Sequence, residues 1–320
     1  MTGVLVTGAT TPVGRRLVEV LLESSKDARV LAVGIEPAAQ SKLPADARLT
    51  YKRVDLRRGR GVRELLYGPA RDLEIETVVH AAHHRSASDV GSKVHAINVE
   101  STRSLLLQAE QHPTIRRFVF RSHVEVYGVR TDLPSVFAED HPLNFSPSAP
   151  QWLRDRVEAD LTVCARMGMC ELQIAVLRTS ECIAPECGSQ LFDYLRSRVC
   201  MRPMGFDPML NLLSVEDLVQ ALVSGTRCDA QGVFNIPGAD TLPLSAVIER
   251  VHRLELPVPG PLLRPLYRLR SLTRGTQFRY DLNAGRFHFS GVPDGARAAT
   301  VLGYEPCHPV DWSAISASRL

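Results

Sequence analysis

The sequence predicts an α/β fold built on a doubly wound parallel sheet, and three features predict it. Short β-branched apolar runs alternate with stretches whose apolar residues recur at helical spacing. The first run ends in a glycine-bearing turn, Thr7-Gly8-Ala9-Thr10-Thr11-Pro12-Val13-Gly14, that leads straight into a helical stretch. After Arg178 the alternation stops and proline becomes frequent, which predicts a smaller C-terminal lobe beside the sheet.

The elements follow in order. Residues 4–6 form a first strand and residues 13–22 a helix. Residues 30–35, 49–54 and 77–80 give three more strands. A long helical pattern comes next, with Val94, Ile97, Leu105, Leu106 and Ala109 on one face. Residues 118–120 are the fifth strand. Pro150 opens a helix whose buried stripe is Leu153, Val157, Leu161 and Cys164. Residues 172–177 are the sixth strand, 214–224 a further helix and 233–236 a short returning strand. Residues 181–210 and 241–320 make the smaller lobe, which closes over the sheet. Within it, residues 256–274 mix leucines with arginines, a composition that suits either a membrane surface or a wall of the lobe. Pro257, Pro259, Pro261 and Pro265 argue against one continuous amphipathic helix and for the wall.

Composition narrows the class. With 44% hydrophobic and 23% charged residues, the 320-residue chain suits a soluble globular protein of two lobes. A net charge of +3 is too small to argue for nucleic acid. The seven cysteines are odd in number and form no CxxC pair, which points to buried thiols in a reducing compartment. The first residues show no basic segment before a long apolar core, and no stretch reaches the length of a membrane span. A cytoplasmic location is expected.

The turn after the first strand has the chemistry of a phosphate-binding loop. A helix N-terminus offers free N–H groups, Gly8 makes the turn, and Gly14 lets the helix pack on the sheet. Thr10, Thr11, Pro12 and Val13 fill the loop. Thr11 stands where such loops carry a middle glycine, so its Cβ crowds a pyrophosphate. Glu36 ends the second strand, 22 residues after Gly14. An acid there bonds ribose hydroxyls and repels a 2′-phosphate, which favours NAD over NADP. Asp55 and Leu56 close the third strand, where adenine belongs, and His80, Ala81 and Ala82 close the fourth with small residues that admit a cofactor. These features predict a Rossmann-type NAD-binding domain over residues 1–180 and about 211–240, with NAD(H) as its ligand. His80, His83 and His84 lie close together, but a strand end does not suit metal ligation, and no metal is expected.

The same residues resemble those of the extended short-chain dehydrogenase/reductases, in the NAD-dependent epimerase/dehydratase family. The likeness runs along most of the chain. TGATTPVG is similar to TGATGxxG, VVHAA to VxHLAA, and Asn98-Val99 to an Asn-Val pair of the family. FVFRSHVEVYG at 118–128 resembles FVxxSSxxVYG, LSVED at 213–217 resembles hVxD, and LGYEP at 302–306 resembles LGWxP. The resemblance implies cofactor contacts at Asn98 and Ser122. It also implies a Tyr that moves a proton, a Lys four residues on that lowers the Tyr pKa and holds the nicotinamide ribose, and a Ser or Thr on the reacting oxygen. Free Tyr titrates near pH ~10, so base chemistry at neutral pH needs a nearby cation, and four-residue spacing puts both groups on one helix face.

Here the three positions hold Trp152, Arg156 and His123. No lysine follows Lys93 and no Tyr-x-x-x-Lys occurs, so no other register restores the pair. An indole N–H donates but does not titrate usefully. Arg156 still suits ribose hydroxyls. His123 is an acid or base by its own pKa. Glu125 stands where the dehydratases of the family carry a Glu, although the adjoining Asp is Val124 here. Cys182 and Cys187 read as core thiols, and Tyr127 as a structural residue of the VYG turn.

Two main readings follow. One is an NAD-binding pseudoenzyme, without the Tyr/Lys pair, that senses or scaffolds. The other is an atypical oxidoreductase or epimerase, working through His123 and Glu125 on a nucleotide sugar or another hydroxyl compound. A cofactor-free interaction module is a third. The setting of Trp152 separates the first two: an indole that fills the pocket excludes catalysis, and one beside an open pocket lined by His123 favours it. The resemblance also implies a homodimer, through helices near 94–110 and 151–167, whose Leu107 and Val163 exceed one sheet-facing stripe.

Overall fold

A computed structural model describes residues 3–274 and 276–318. Five strands, β1 (Gly3–Thr7), β2 (Arg29–Gly34), β3 (Leu49–Arg53), β4 (Thr77–His80) and β5 (Arg117–His123), join Gln173–Thr179 and Gly232–Ile236 in one sheet. The order is Gly232–Ile236, Gln173–Thr179, β5, β4, β1, β2, β3. All pairings are parallel. The winding reverses between β1 and β4, so a crevice opens at their carboxyl ends. Register aligns those ends: Thr7 lies opposite Val33 and His80, and His80 opposite Phe120. The loops after β1, β2, β4 and β5 therefore share one rim.

Both faces of the sheet are covered, which is why the inner strands β1, β2 and β4 read as nearly unbroken apolar runs. On one face, α1 (Pro12–Ser24) buries Leu17, Val18, Leu21 and Leu22 beside the Val215–Arg227 helix. On the other, Ser101–Glu110 and Gln151–Cys164 bury Leu105, Leu106, Ala109, Ala159 and Val163.

Three local features depart from the sequence reading. β5 runs on through Arg121, Ser122 and His123, polar residues that hydropathy does not mark as strand. Leu161 is exposed, while Asp155 and Asp160 take buried positions on the same helix, because His95 partners the one and Ser122 with Arg178 the other. The helix around Asn98 is broken by one π-turn, Ala96–Glu100.

The second lobe has its own core, with Phe192, Tyr194, Leu244, Tyr267, Phe278 and Phe287 at its centre. Met209–Leu213 joins Glu181–Cys182 and Asp240–Pro243 in a small sheet, and Val199–Pro203 pairs with Leu254–Val258. The last segment departs from the expected boundary: Ala298, Leu302 and Tyr304 pack back into the core of the first lobe. Asp217 anchors it, accepting the Cys307 N–H at 3.2 Å and the His308 N–H at 3.0 Å, so the hVxD and LGWxP-like segments meet. Gly260–Arg274 is one continuous helix, contrary to the proline argument. Pro257 and Pro259 precede it, Pro261 sits in the first turn where an N–H has no helical partner, and Pro265 forgoes a bond near the start. Among the described residues, no helix is long and apolar enough to cross a membrane.

Candidate functional site

The loop after β1 is fixed by close contacts. Gly8 has φ +71°, and a Cβ there would lie 3.0 Å from the Ala82 Cα. A Cβ on Gly14 would stand 2.1 Å from the Gly8 carbonyl oxygen. Thr11 takes φ −75°, so it replaces a glycine without backbone strain. It also caps α1: the Gly14 N–H donates to its hydroxyl at 3.1 Å, and that hydroxyl donates to the Gly8 carbonyl at 2.8 Å. Pro12 has no N–H, and the Val13 side chain is in the core, so the Val13 amide is what the helix end leaves for an anion.

A cavity of about 750 Å3 opens at this point, and Gly8, Thr10, Thr11, Glu36, Asp55, Leu56 and Ala82 line it. The Thr10 hydroxyl donates to Glu36 Oε2 at 2.5 Å and the Ile35 N–H at 3.2 Å. Burial opposes ionisation of Glu36, but these donors, its own amide and the charge of Arg85 outweigh it and hold the carboxyl below its ordinary value. Glu36 is therefore an anionic acceptor at the cleft, suited to hydroxyl donors. No arginine adjoins it in sequence, yet Arg53 reaches the Ile35 carbonyl at 2.8 Å, and Arg57 and Arg85 line the cavity. Ala81 is buried beside the cavity and, unlike Ala82, does not line it. The Thr7 hydroxyl oxygen accepts the N–H groups of Ala81 and Ala82, both at 3.2 Å, and faces His80 Nδ1 at 2.8 Å. Nε2 of His80 meets the Thr102 hydroxyl at 2.9 Å, whose proton goes to the Asn98 carbonyl. The bonds close with His80 neutral and protonated on Nε2, and burial pushes its pKa down to about 4. His80 is a strut between β1, β4 and a helix.

The catalytic positions meet behind this cleft. β5 ends at His123, the following turn lifts Glu125, and the Gln151–Cys164 helix brings Trp152 and Arg156 one turn apart. The Arg156 guanidinium lies 4.0 Å from the centre of the Trp152 ring, and its Nη1 is 3.1 Å from Glu125 Oε2. Glu125 also faces Arg286 Nη1 at 3.9 Å, and Arg286 Nη2 pairs with Glu181 Oε2 at 2.5 Å. Glu181 Oε1 is held by the Ser189 hydroxyl at 2.6 Å and the Leu191 N–H at 2.9 Å. His123 Nδ1 lies 3.9 Å from Glu125 Oε2, and its ring meets that of His83 edge-on at 5.2 Å. Burial, then Arg156, His83 and Arg121, push His123 well below the usual imidazole range, so it is neutral at neutral pH. His83 shifts the same way, by burial first and then Arg121 and Arg156.

Trp152 is 6% exposed and packs with Val126, Tyr127, Phe137, Leu153 and Val157. It shares the wall of a second cavity, about 220 Å3, with Glu125, Glu181 and Arg286. His123 lines neither this cavity nor the larger one. The structure thus combines parts of both expected settings: the indole borders a small open pocket, but that pocket lacks His123.

Three residues expected to contact the cofactor, Ser122, Asn98 and Arg156, do not line the larger cavity. The Ser122 hydroxyl donates to Asp160 Oδ2 at 2.5 Å, where Arg178 binds the same carboxylate through two nitrogens at 3.0 and 2.7 Å. Asn98 accepts the His84 N–H at 2.8 Å and reaches Asp155 at 3.4 Å, so it ties the loop after β4 to the Gln151–Cys164 helix. Arg156 itself is turned to Glu125 and does not line the larger cavity. Sequence reasoning missed Arg286 and Glu181, because they come from separate, aperiodic stretches. It also missed His83 as a cleft residue, although its place just after the fourth strand was a usable signal.

The residues present fit the adenosine and pyrophosphate half of a dinucleotide: a positive-φ glycine, a helix end and an ionised acceptor face one cavity. A family model described as the NAD dependent epimerase/dehydratase family matches residues 4–236. An uncharacterized protein of Mycobacterium tuberculosis is 30% identical over 321 residues, covering 98% of this chain and 81% of the relative. A UDP-glucuronic acid 4-epimerase from Bacillus cereus, solved with UDP-glucuronic acid and NAD, shares the fold at TM-score 0.71 and 18% identity, with 99% of each chain covered. A dTDP-glucose 4,6-dehydratase from Bacillus anthracis, solved with NAD, does so at TM-score 0.73 and 16% identity, covering 99% of this chain and 96% of its own. By sheet order, cleft and family match together, the chain belongs to the NAD dependent epimerase/dehydratase family, whose cofactor is NAD.

Proposed function

We propose that this family member binds NAD(H) with its proton-transfer machinery replaced, as a pseudoenzyme with a sensing or scaffolding role. One observation carries the reading: Arg156 is committed to Glu125 at 3.1 Å on one side and to the Trp152 ring at 4.0 Å on the other. A tyrosine and a lysine in those places would share a proton. Here the indole has no useful titration, the guanidinium stays charged, and His123 is held neutral behind His83. Gly8, Thr10, Thr11, Glu36, Asp55, Leu56 and Ala82 would hold the adenosine and pyrophosphate half. NAD supplies two-electron redox chemistry when bound. The chain's own residues bind and orient it, but they offer no relay for the accompanying proton.

The enzyme reading, with a nucleotide sugar or other hydroxyl compound as substrate, has less support. His123 and Glu125 stand 3.9 Å apart, Glu125 is already paired, and His123 is absent from the lining of both cavities. The decisive experiment is mass spectrometry of nucleotides released from the purified protein, followed by assays across nucleotide sugars and simple alcohols. Bound NAD without turnover is expected. Turnover that His123→Ala abolishes would overturn the pseudoenzyme reading.

A further inference from the structure

We propose that the Gly260–Arg274 helix docks this protein on the surface of an anionic lipid bilayer. The rotation of the helix is fixed by its inner side. Leu263 and Tyr267 are buried in the second lobe, the Tyr267 hydroxyl donates to the Met201 carbonyl at 2.8 Å, and Arg270 donates to the Val199 carbonyl at 2.7 Å. That leaves Leu262, Leu266, Leu269 and Leu272 on the outside, 52%, 38%, 60% and 86% exposed. Their spacing of four, three and three residues makes one stripe, about 15 Å long at the helical rise of ~1.5 Å per residue. A stripe of that kind on a folded surface marks a docking site.

Charge identifies what covers it. The helix carries Arg264, Arg268, Arg270 and Arg274 and no acid. The next acid along the chain, Asp281, is taken by Arg279 at 2.9 Å. Among the described residues, neither Arg264 nor Arg268 has a carboxylate within ion-pair distance. Both, with Arg279 and the Asp281 it pairs with, rim a cavity of about 300 Å3 whose other walls include Tyr267, Phe278 and Tyr280; three guanidiniums against one carboxylate leave it net positive. A guanidinium rim takes a phosphate, and an aromatic wall takes the apolar carbons attached to it. A second copy laid on this face would bring like charges together, whereas an anionic bilayer satisfies the leucines and the arginines at once. Fifteen residues are too few to cross a bilayer, so the helix lies in the interface plane.

Flotation of the full chain with vesicles tests this. The vesicles are phosphatidylcholine alone, or phosphatidylcholine with about a third phosphatidylglycerol, the range in which juxtamembrane basic charge acts. The expected result is binding to the anionic vesicles only, weakened by salt. Arg264→Gln with Arg268→Gln should lower partition about 25-fold, about fivefold per arginine. Leu269→Asp with Leu272→Asp should abolish it. Far-UV circular dichroism and melting temperature show whether each variant is folded, and the milder Leu269→Ser with Leu272→Ser replaces the Asp pair if it is not. Failure of the unaltered protein to float with anionic vesicles overturns the proposal. So does equal binding to neutral vesicles, or binding that the leucine changes leave intact. A leucine variant that changes only the oligomeric state would assign the stripe to a second copy and overturn it too.

Discussion

At the scale of single residues, the buried His80 imidazole ties stability to pH. His80 is held near pKa 4 by burial, against about 6.5 in the unfolded chain. Between those values the unfolded chain takes up a proton that the folded chain refuses. The contribution of His80 to stability is therefore present above about pH 6.5 and falls as pH drops toward 4, by roughly 3 kcal/mol. Urea midpoints measured from pH 7.5 to 4.5 should fall, and His80→Gln should flatten that slope while lowering stability at pH 7.5; a midpoint independent of pH would count against this. Glu36 carries a second prediction: Glu36→Ala should narrow the preference for NAD over NADP in calorimetric titration, and tighter NADP binding by the unaltered protein would refute the ribose role. The degenerate centre carries a third. Trp152→Tyr with Arg156→Lys should not create a competent enzyme, because the new lysine meets Glu125 as Arg156 does, and His123 still fills the place of a small hydroxyl. Adding His123→Ser is the minimum for NADH formation with any tested alcohol or nucleotide sugar. His123 was legible by counting back from the VYG turn, and Trp152 and Arg156 by their four-residue spacing on the helix that Pro150 opens. Arg286 and Glu181 were not, because no period or motif ties them to that centre; only folding brings them together at 2.5 Å.

At the scale of elements, legibility followed apolarity. β1, β2 and β4 read nearly as they fold because buried parallel strands are apolar runs, whereas β3, at the sheet edge, is only partly buried and carries Lys52 and Arg53. β5 read short because its end is Arg121, Ser122 and His123. The Gln151–Cys164 helix shows the same limit from the other side: hydropathy places Leu161 inside and Asp160 outside, and the fold does the reverse. Asp160 is stable there because Ser122 and the two nitrogens of Arg178 surround it, joining the helix to β5 and to Gln173–Thr179. Removing one partner leaves the other charge buried and unpaired, at a cost of about 3–5 kcal/mol. Asp160→Asn should lower the unfolding free energy by that order in chemical denaturation. Arg178→Met added to it should recover part of the loss, because the double change leaves no isolated charge. A single change with no measurable effect would show that water reaches this site.

At the scale of the whole molecule, the doubly wound parallel sheet followed from the βαβ alternation, while the internal structure of the second lobe did not. Its strands are short and pair across long separations, and the return of Ala298, Leu302 and Tyr304 to the first core leaves no local pattern. Assembly belongs to this scale as well. Of Leu107 and Val163, the two residues that suggest a dimer face, Val163 lies in the core and contributes nothing to a surface. Leu161 takes its place. Arg103 pairs with Glu158 at 3.4 Å and Arg166 with Glu110 at 2.7 Å, which sets the two helices side by side, running the same way. That register puts Leu107 level with residue 162, next to Leu161, and the two leucines are 42% and 38% exposed. Charged residues at 100, 103 and 158 stand around them, an arrangement of apolar centre and polar rim that suits a moderate interface. Light scattering at micromolar concentration should then report a dimer. Leu107→Asp with Leu161→Asp should convert it to a folded monomer, because a charge buried at the centre of such a patch has no partner. A monomer in the unaltered protein would remove these helices as an interface, and a dimer that survives both substitutions would place the contact on another face.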